Sequence, residues 1–370
     1  MHLLLVDELD DQINVGAEFY RITQAKDIGI PSFSQMAFMY DITEFNTALK
    51  PFFIRYLLDK GYKKLVYLDP DVVVFSSLNF ILELLDECSI ILTPHITVPL
   101  PDDERGPSET TFLVAGTYNL GFIAVSNTNT TIRMLEWWST KCSKDCFADI
   151  EAGLFVDQKW INLVPGLYAS VFILRHVGCN VGYWNLHERV LDDSKVNGDT
   201  DLVFFHFSGF QIGDVDTISK YQNRFRLSER PDLRNLFEYY KKALIYNGYN
   251  GQEKIYHYKY GRYDNELRIG PMARRLYPHV AGKFPNPFST GEGSYHNFLG
   301  RLGLLEDEGH KYEPSGDNIE RNAKIINHFL LLLAKVLGPG RYDALMRYMR
   351  YIAVIRRQAF LVGEKGRVGK

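Results

Sequence analysis

The chain opens on an apolar run, His2 to Val6, that reads as a short buried strand. Asp41-Ile-Thr-Glu44 has the form of a capping box, and Phe45, Leu49, Phe52, Phe53, Tyr56 and Leu57 then recur at helical spacing. Gly61 supplies the stop, and Pro51 is a point where this helix would kink. Lys64 to Leu68 and Val72 to Phe75 read as strands on either side of an Asp-Pro-Asp turn. Ile90 to Thr93, Leu120 to Val125, Val171 to Leu174 and Val203 to Phe207 continue the series, and Thr131 to Cys142 reads as a helix. This alternation predicts an α/β domain over residues 1–245, with a mainly parallel, Rossmann-like sheet covered by helices on both faces. From 246 to 316 Gly, Pro, Tyr and Asn dominate, which predicts a loop-rich accessory segment packed on that domain. Helices over 319–337 and 342–361, separated by Gly338-Pro339-Gly340, make up a tail from 317 to 370.

Composition narrows the classes. Hydrophobic residues at 46% and charged residues at 24% are globular proportions, not those of a disordered chain. A net charge of −3 gives no reason to expect nucleic acid as a partner. Residues 341–370, however, hold eight Lys or Arg against two Asp or Glu. A basic helix carrying Met346, Tyr348, Met349, Tyr351, Ile352 and Ile355 either lies on an anionic membrane surface or packs on the body with its basic face in water. Four cysteines are too few for a disulfide scaffold. Cys142 and Cys146 are four apart, which on a helix would place them on one face, but no second Cys/His pair stands beside them, so thiols are expected and zinc is not. The N-terminus lacks a charged n-region, and the longest apolar run, Phe329 to Ala334, is far short of the ~20 residues that span a bilayer. The expectation is a cytoplasmic protein whose membrane contact, if any, is peripheral and on the inner face.

The chemistry concentrates where Leu65-Val-Tyr-Leu68 runs into Asp69-Pro70-Asp71. Two carboxylates two residues apart, at the carboxyl end of a strand, sit where open α/β sheets bind ligands. A pair of hard oxygen ligands suits Mg²⁺ or Mn²⁺ that also binds phosphate oxygens. The plain alternative is a polar turn between strands.

With these residues the chain resembles the GT-A-fold glycosyltransferases, most nearly the family 8-like group of glycogenin and bacterial sugar transferases. Four ordered stretches within about residues 1–230 carry the resemblance: Thr47-Ala-Leu-Lys50-Pro51 leading to Asp69-Pro-Asp71; Tyr118-Asn119-Leu120-Gly121-Phe122; Val156-Asp157-Gln158-Lys159-Trp160-Ile161-Asn162; and His206-Phe207-Ser208-Gly209-Phe210. The resemblance implies that Asp69, Asp71 and His206 hold Mn²⁺ or Mg²⁺ against the diphosphate of a nucleotide-sugar. Asn119 and Gly121 would line the sugar, and Asp157 and Gln158 would flank the anomeric carbon and the acceptor. For His206 the rival reading is a satisfied core histidine, and for Asp157 a helix cap. Asn180, Asn185 and His187 come from a polar and aromatic stretch that also holds Trp184 and Glu188; it reads as a sugar subsite or as a loop closed by its own hydrogen bonds. Lys50 faces phosphate or caps structure near Pro51, and Gly209 belongs to the H-x-x-G element.

Two departures stand out. The family's Lys-Pro-Trp triplet after H-x-x-G is missing; Lys220 is the nearest lysine that could grip phosphate, with Arg224 competing. His2 to Val6 looks like the second strand of the family layout, so the first βα unit looks to be missing. The expected function is metal-dependent transfer of a sugar from a nucleotide-diphosphate sugar to a hydroxyl acceptor. Retention of the anomer follows the family, whereas inversion would need a base such as Asp157. The alternatives are a degenerate sugar-binding or scaffold module, and a haloacid-dehalogenase-like phosphatase with Asp69 as nucleophile.

Overall fold

The computed structural model describes residues 1–9, 20–249, 258–305 and 316–363. The strands are β1 (His2–Leu5), β2 (Arg21–Gln24), β3 (Lys64–Leu68), β4 (Val72–Val74), β5 (Ile90–Pro94), β6 (Tyr118–Ser126), β7 (Val171–Ile173), β8 (Leu191–Asp192), β9 (Lys195–Val196), β10 (Thr200–Asp201) and β11 (Phe204–His206). The helices before residue 250 are α1 (Phe33–Met39), α2 (Ile42–Ala48), α3 (Lys50–Asp59), α4 (Asn79–Glu87), α5 (Glu109–Ala115), α6 (Asn129–Cys142), α7 (Gln158–Ile161), α8 (Val164–Leu167) and α9 (Arg234–Tyr246). After it come α10 (Pro271–Leu276), α11 (Tyr295–Arg301), α12 (Gly316–Leu337) and α13 (Pro339–Ile352). Packing divides the chain into two compact units, Met1–Pro31 with Thr43–His257, and Ser32–Ile42 with Tyr258–Lys370.

The first unit is mixed α/β. Its largest sheet has the order β3-β6-β5-β7. β6 runs antiparallel to both β3 and β5, while β5 and β7 are parallel. Three strands therefore point one way and β6 runs against them, so the hydrogen-bonded pairs are mixed where a mainly parallel sheet was expected. The periodicity of a buried strand says nothing of its direction: β6 is buried from Leu120 to Ser126 and reads as apolar whichever way it runs. Ile81 and Leu85 of α4 pack with Ile91, Phe122, Ala124 and Phe204. A separate ladder pairs β4 with β11 antiparallel, Val72 opposite His206 and Val74 opposite Phe204. β1 and β2 form a two-stranded parallel ladder. β1 was expected to be buried, yet Leu3 is 39% exposed.

The single helix expected from Asp41 to Gly61 is two. α2 ends at Ala48 and α3 begins at Lys50, with Pro51 in its first turn, where a missing N–H costs nothing. This break turns the long Lys50 side chain inward at the start of α3, where it is 5% exposed.

In the second unit Arg274 of α10 is buried and donates to the carbonyls of Phe38 (2.7 Å), Tyr40 (2.8 Å) and Tyr260 (2.8 Å). Phe38 of α1 is ringed by Tyr277, Phe288 and Tyr295 at centroid distances of 4.9–5.7 Å. The expected loop-rich stretch thus contains α10 and α11 and shares a unit with residues 32–42. α12 and α13 pack on each other, and α13 ends at Ile352 rather than at the expected Leu361, giving way to 3₁₀ turns. α12 leaves Ile325, Ile326, Phe329 and Val336 exposed, the last two by 61% and 81%. Among the described residues no helix is long and apolar enough to cross a membrane.

Candidate metal centre and adjoining cleft

The site is built on the exit of β3. Asp69 N donates to Gly121 O of β6 at 2.9 Å, and Val72 N donates back to Asp69 O at 3.1 Å, so the Asp-Pro-Asp segment is a tight turn anchored to the central sheet. β4 leaves this turn already paired with β11, and Phe207 N donates to Asp71 O at 2.9 Å. That register sets Asp71 beside His206, with His206 Nε2 2.9 Å from Asp71 Oδ1. Asp69, Asp71 and His206 each offer one ligand atom within 4.8 Å of the others. Two carboxylate oxygens and one imidazole nitrogen are a donor set for Mn²⁺ or Mg²⁺. Burial pushes the Asp71 carboxyl up, but the hydrogen bond and charge of His206 outweigh it and hold the group below the usual carboxylate range.

The imidazole is held from several sides. Trp184 meets it edge-on at a centroid distance of 5.1 Å, and His206 Nδ1 lies 3.2 Å from Asn119 Oδ1. Asn119 Oδ1 also accepts from Gly121 N at 3.1 Å and from Asn180 Nδ2 at 3.2 Å. Asn119 Nδ2 faces His95 Nε2 at 3.3 Å, and His95 Nδ1 faces Thr117 O at 3.2 Å. Gly121 runs so close beneath the ring that a Cβ there would fall 2.2 Å from His206 Cε1.

On the other side of Asp69 is a buried charge cluster. Lys50 Nζ lies 3.0 Å from Leu120 O, 3.2 Å from Asp69 Oδ1 and 3.3 Å from Asp157 Oδ2. Burial lowers the Lys50 pKa, but Asp157 and Asp69 more than reverse this and keep the ammonium well above its usual range. Burial pushes the Asp157 carboxyl up to about 6, with Lys50 pulling the other way. Its Oδ2 receives no aligned hydrogen bond, so its tie to Lys50 is an ion pair. Tyr67, whose hydroxyl burial pushes far up, stays protonated and donates to Asp69 Oδ1 at 2.7 Å.

Beside Asp71 opens a cleft of about 580 Å³, lined among others by Gly209, Lys220, Phe210, Tyr240 and Tyr249. Gly209 sits at φ +72°, and a Cβ there would meet Ser219 Oγ at 2.5 Å; only glycine closes this turn. Lys220 is exposed at the cleft, whereas Arg224 is buried and clamps the 103–107 loop through Asp103 (2.6 Å), Arg105 O (2.9 Å) and Pro107 O (3.1 Å). Of the two cations weighed for phosphate, Lys220 alone faces the cleft.

Several expected ligand contacts are taken by the protein itself. Gln158 donates to Ala115 O at 3.1 Å and accepts from Leu120 N at 3.0 Å, so both ends of its amide tie α7 to β6 and its approach. Asn185 accepts from Gly182 N and donates to His95 O and Asn180 O, closing its own loop. His187 Nε2 faces Val98 O at 3.0 Å. Asp157, 1% exposed, gives its carboxylate to Lys50 and is absent from the cleft wall. Asn180 keeps one buried oxygen, Oδ1, without a hydrogen bond. His95 and Tyr67 belong to the site and were not foreseen. Tyr67 stands two residues before Asp69 on a strand, where period two puts both on one face; His95 has no such signal.

No family model matches the chain, and no solved structure matches it. Two curated Bacillus subtilis (strain 168) proteins, both described as uncharacterized, are similar to it. YfnF is 26% identical over 210 residues, 55% of this chain and 68% of the relative. YfnD is 26% identical over 178 residues, 46% of this chain and 54% of the relative. The likeness spans about half of the chain in each case and carries no named activity with it.

Proposed function

We propose that this protein is a metal-dependent glycosyltransferase of GT-A-like fold that moves a sugar from a nucleotide-diphosphate sugar to a hydroxyl acceptor. The observation that carries the reading is the convergence of Asp69, Asp71 and His206 beside a cleft that also presents Lys220. Asp69, Asp71 and His206 are the residues that would hold Mn²⁺ or Mg²⁺. At neutral pH the carboxylates of Asp69, Asp71 and Asp157 set against Lys50 leave two negative charges, which one dication balances. When bound, the ion supplies Lewis-acid stabilisation of charge on the departing diphosphate.

The chain's own groups complete the arrangement. Lys220 offers a point charge to a phosphate in the cleft. Phe210, Tyr240 and Tyr249 give the cleft flat apolar walls against which a base can stack. Lys50 and Tyr67 hold Asp69 from behind, fixing the carboxylate before any ligand arrives. Asp157, the carboxylate expected to act as base for inversion, is committed to Lys50, which favours retention of the anomer over inversion.

The test is a panel of nucleotide-sugars offered to the full chain with and without Mn²⁺, scored by nucleotide release. Asp71→Asn is expected to lower Mn²⁺-dependent turnover by about 10²–10³-fold with an unchanged melting temperature. Unimpaired turnover in that variant removes the metal role. Absence of both Mn²⁺ binding and turnover in the native chain leaves a non-catalytic module.

A further inference from the structure

We propose that Asn119 is a positioning residue that keeps the proton of His206 on Nδ1 and so leaves Nε2 free as a metal ligand; this rests on the metal reading above. A neutral imidazole carries one proton, and only its bare nitrogen can ligate. Here two acceptors compete for that proton. Asp71 Oδ1, 2.9 Å from Nε2, draws it onto the nitrogen the ion needs. Asn119 Oδ1, 3.2 Å from Nδ1, draws it to the other end of the ring. The charged carboxylate is intrinsically the stronger acceptor, so the amide prevails only if its oxygen is held toward the ring.

The surroundings of Asn119 hold it there. A backbone N–H can only donate, so the bond from Gly121 N identifies the atom it meets as the amide oxygen. Asn180 Nδ2 donates to the same oxygen, and the far end of the amide donates to His95 Nε2. Turning Asn119 over would set its NH₂ against two donors and its oxygen against the lone pair of His95. Burial pulls the His95 imidazole down to about 4, so this lone pair is present throughout the neutral range. Gly121 removes the one atom that would keep the ring from seating against Asn119. The asparagine expected to line a sugar thus acts through His206, in the way that outer hydrogen-bond partners fix the tautomer of metal-bound histidines.

The experiment is a long-range proton–nitrogen correlation spectrum of the ¹⁵N-histidine-labelled full chain, free of metal, followed into alkaline pH. In the native protein and in Asn119→Asp, which keeps an acceptor at the same place, the neutral His206 ring carries its proton on Nδ1 and leaves Nε2 bare. In Asn119→Leu the neutral ring carries its proton on Nε2, and Mn²⁺ affinity, read by electron paramagnetic resonance, falls about 10- to 100-fold. A native His206 with bare Nδ1 overturns the proposal without any variant, as does an Asn119→Leu protein that keeps the Nδ1 proton. A native protein with the proton on Nδ1 that binds no Mn²⁺ refutes the metal reading and leaves the proton placement standing.

Discussion

At the scale of single residues, the cluster of Asp69, Asp71 and His206 depends on a missing atom. A methyl group at Gly121 would fall 2.4 Å from His206 Nδ1 and 2.8 Å from Asn119 Oδ1, and neither ring nor amide has room to yield. Gly121→Ala is therefore expected to destabilise the protein by about 1–3 kcal/mol and to displace the imidazole from Asp71. Urea denaturation and Mn²⁺ titration of the same sample would check both. His95 makes a prediction of opposite kind, about protons. Its pKa lies at about 4 because burial disfavours the charged ring, against an ordinary value of 6.5. The unfolded chain then binds this proton more readily than the folded one. Stability falls as pH drops through the window from 6.5 to about 4 and levels off below it, a loss on the order of 3 kcal/mol. His95→Gln lacks the group, so its urea midpoint should depend less on pH across that window; parallel curves would disprove the assignment. The Asp69 and Asp71 pair was legible in the sequence as two carboxylates at a strand exit, whereas His206 was reached only through the family resemblance. His95 and the inward turn of Asp157 were not, since both depend on which side chains fold over a strand end.

Among the elements, register matters more than length. β4 and β11 contribute three residues each, yet their pairing alone brings His206 to Asp71 across more than a hundred residues of chain. A slip of one residue would turn His206 to the opposite face and dissolve the site. The break between α2 and α3 works similarly: Pro51 was visible in the sequence as an interruption, but its effect, a buried lysine at the head of α3, needs the packing to be seen. β6 shows where pattern reading ends, because strand direction is set by the connection and not by the residues within the strand. In the second unit Arg274 ties α10 to the carbonyls at the end of α1. Arg274→Met would remove the hydrogen bonds that Arg274 gives to the carbonyls of Phe38, Tyr40 and Tyr260, a cost of about 3 kcal/mol or more. Faster amide exchange over residues 33–40, with the rates of the first unit unchanged, is the expected signature.

For the molecule as a whole, the balance of apolar surface is uneven. Most described large side chains lie in cores around β6, β11 and Phe38, but α12 carries Ile325, Phe329, Leu332 and Val336, a run at helical spacing, on its outside. A hydrophobic dye is expected to light up in the presence of the native chain, and a variant with serine at Phe329 and Val336 should lose most of that signal; equal signals would mean the stripe is covered. The basic count of the tail was plain in the sequence, but an uncovered stripe was not, since amphipathic spacing looks the same whether a face is packed or bare. A helix of 22 residues is about 33 Å long, comparable to the width of a small domain. With so oily a flank, the apparent size of the protein should grow with its concentration and shrink in mild detergent, and handling conditions would then govern what a solution measurement weighs.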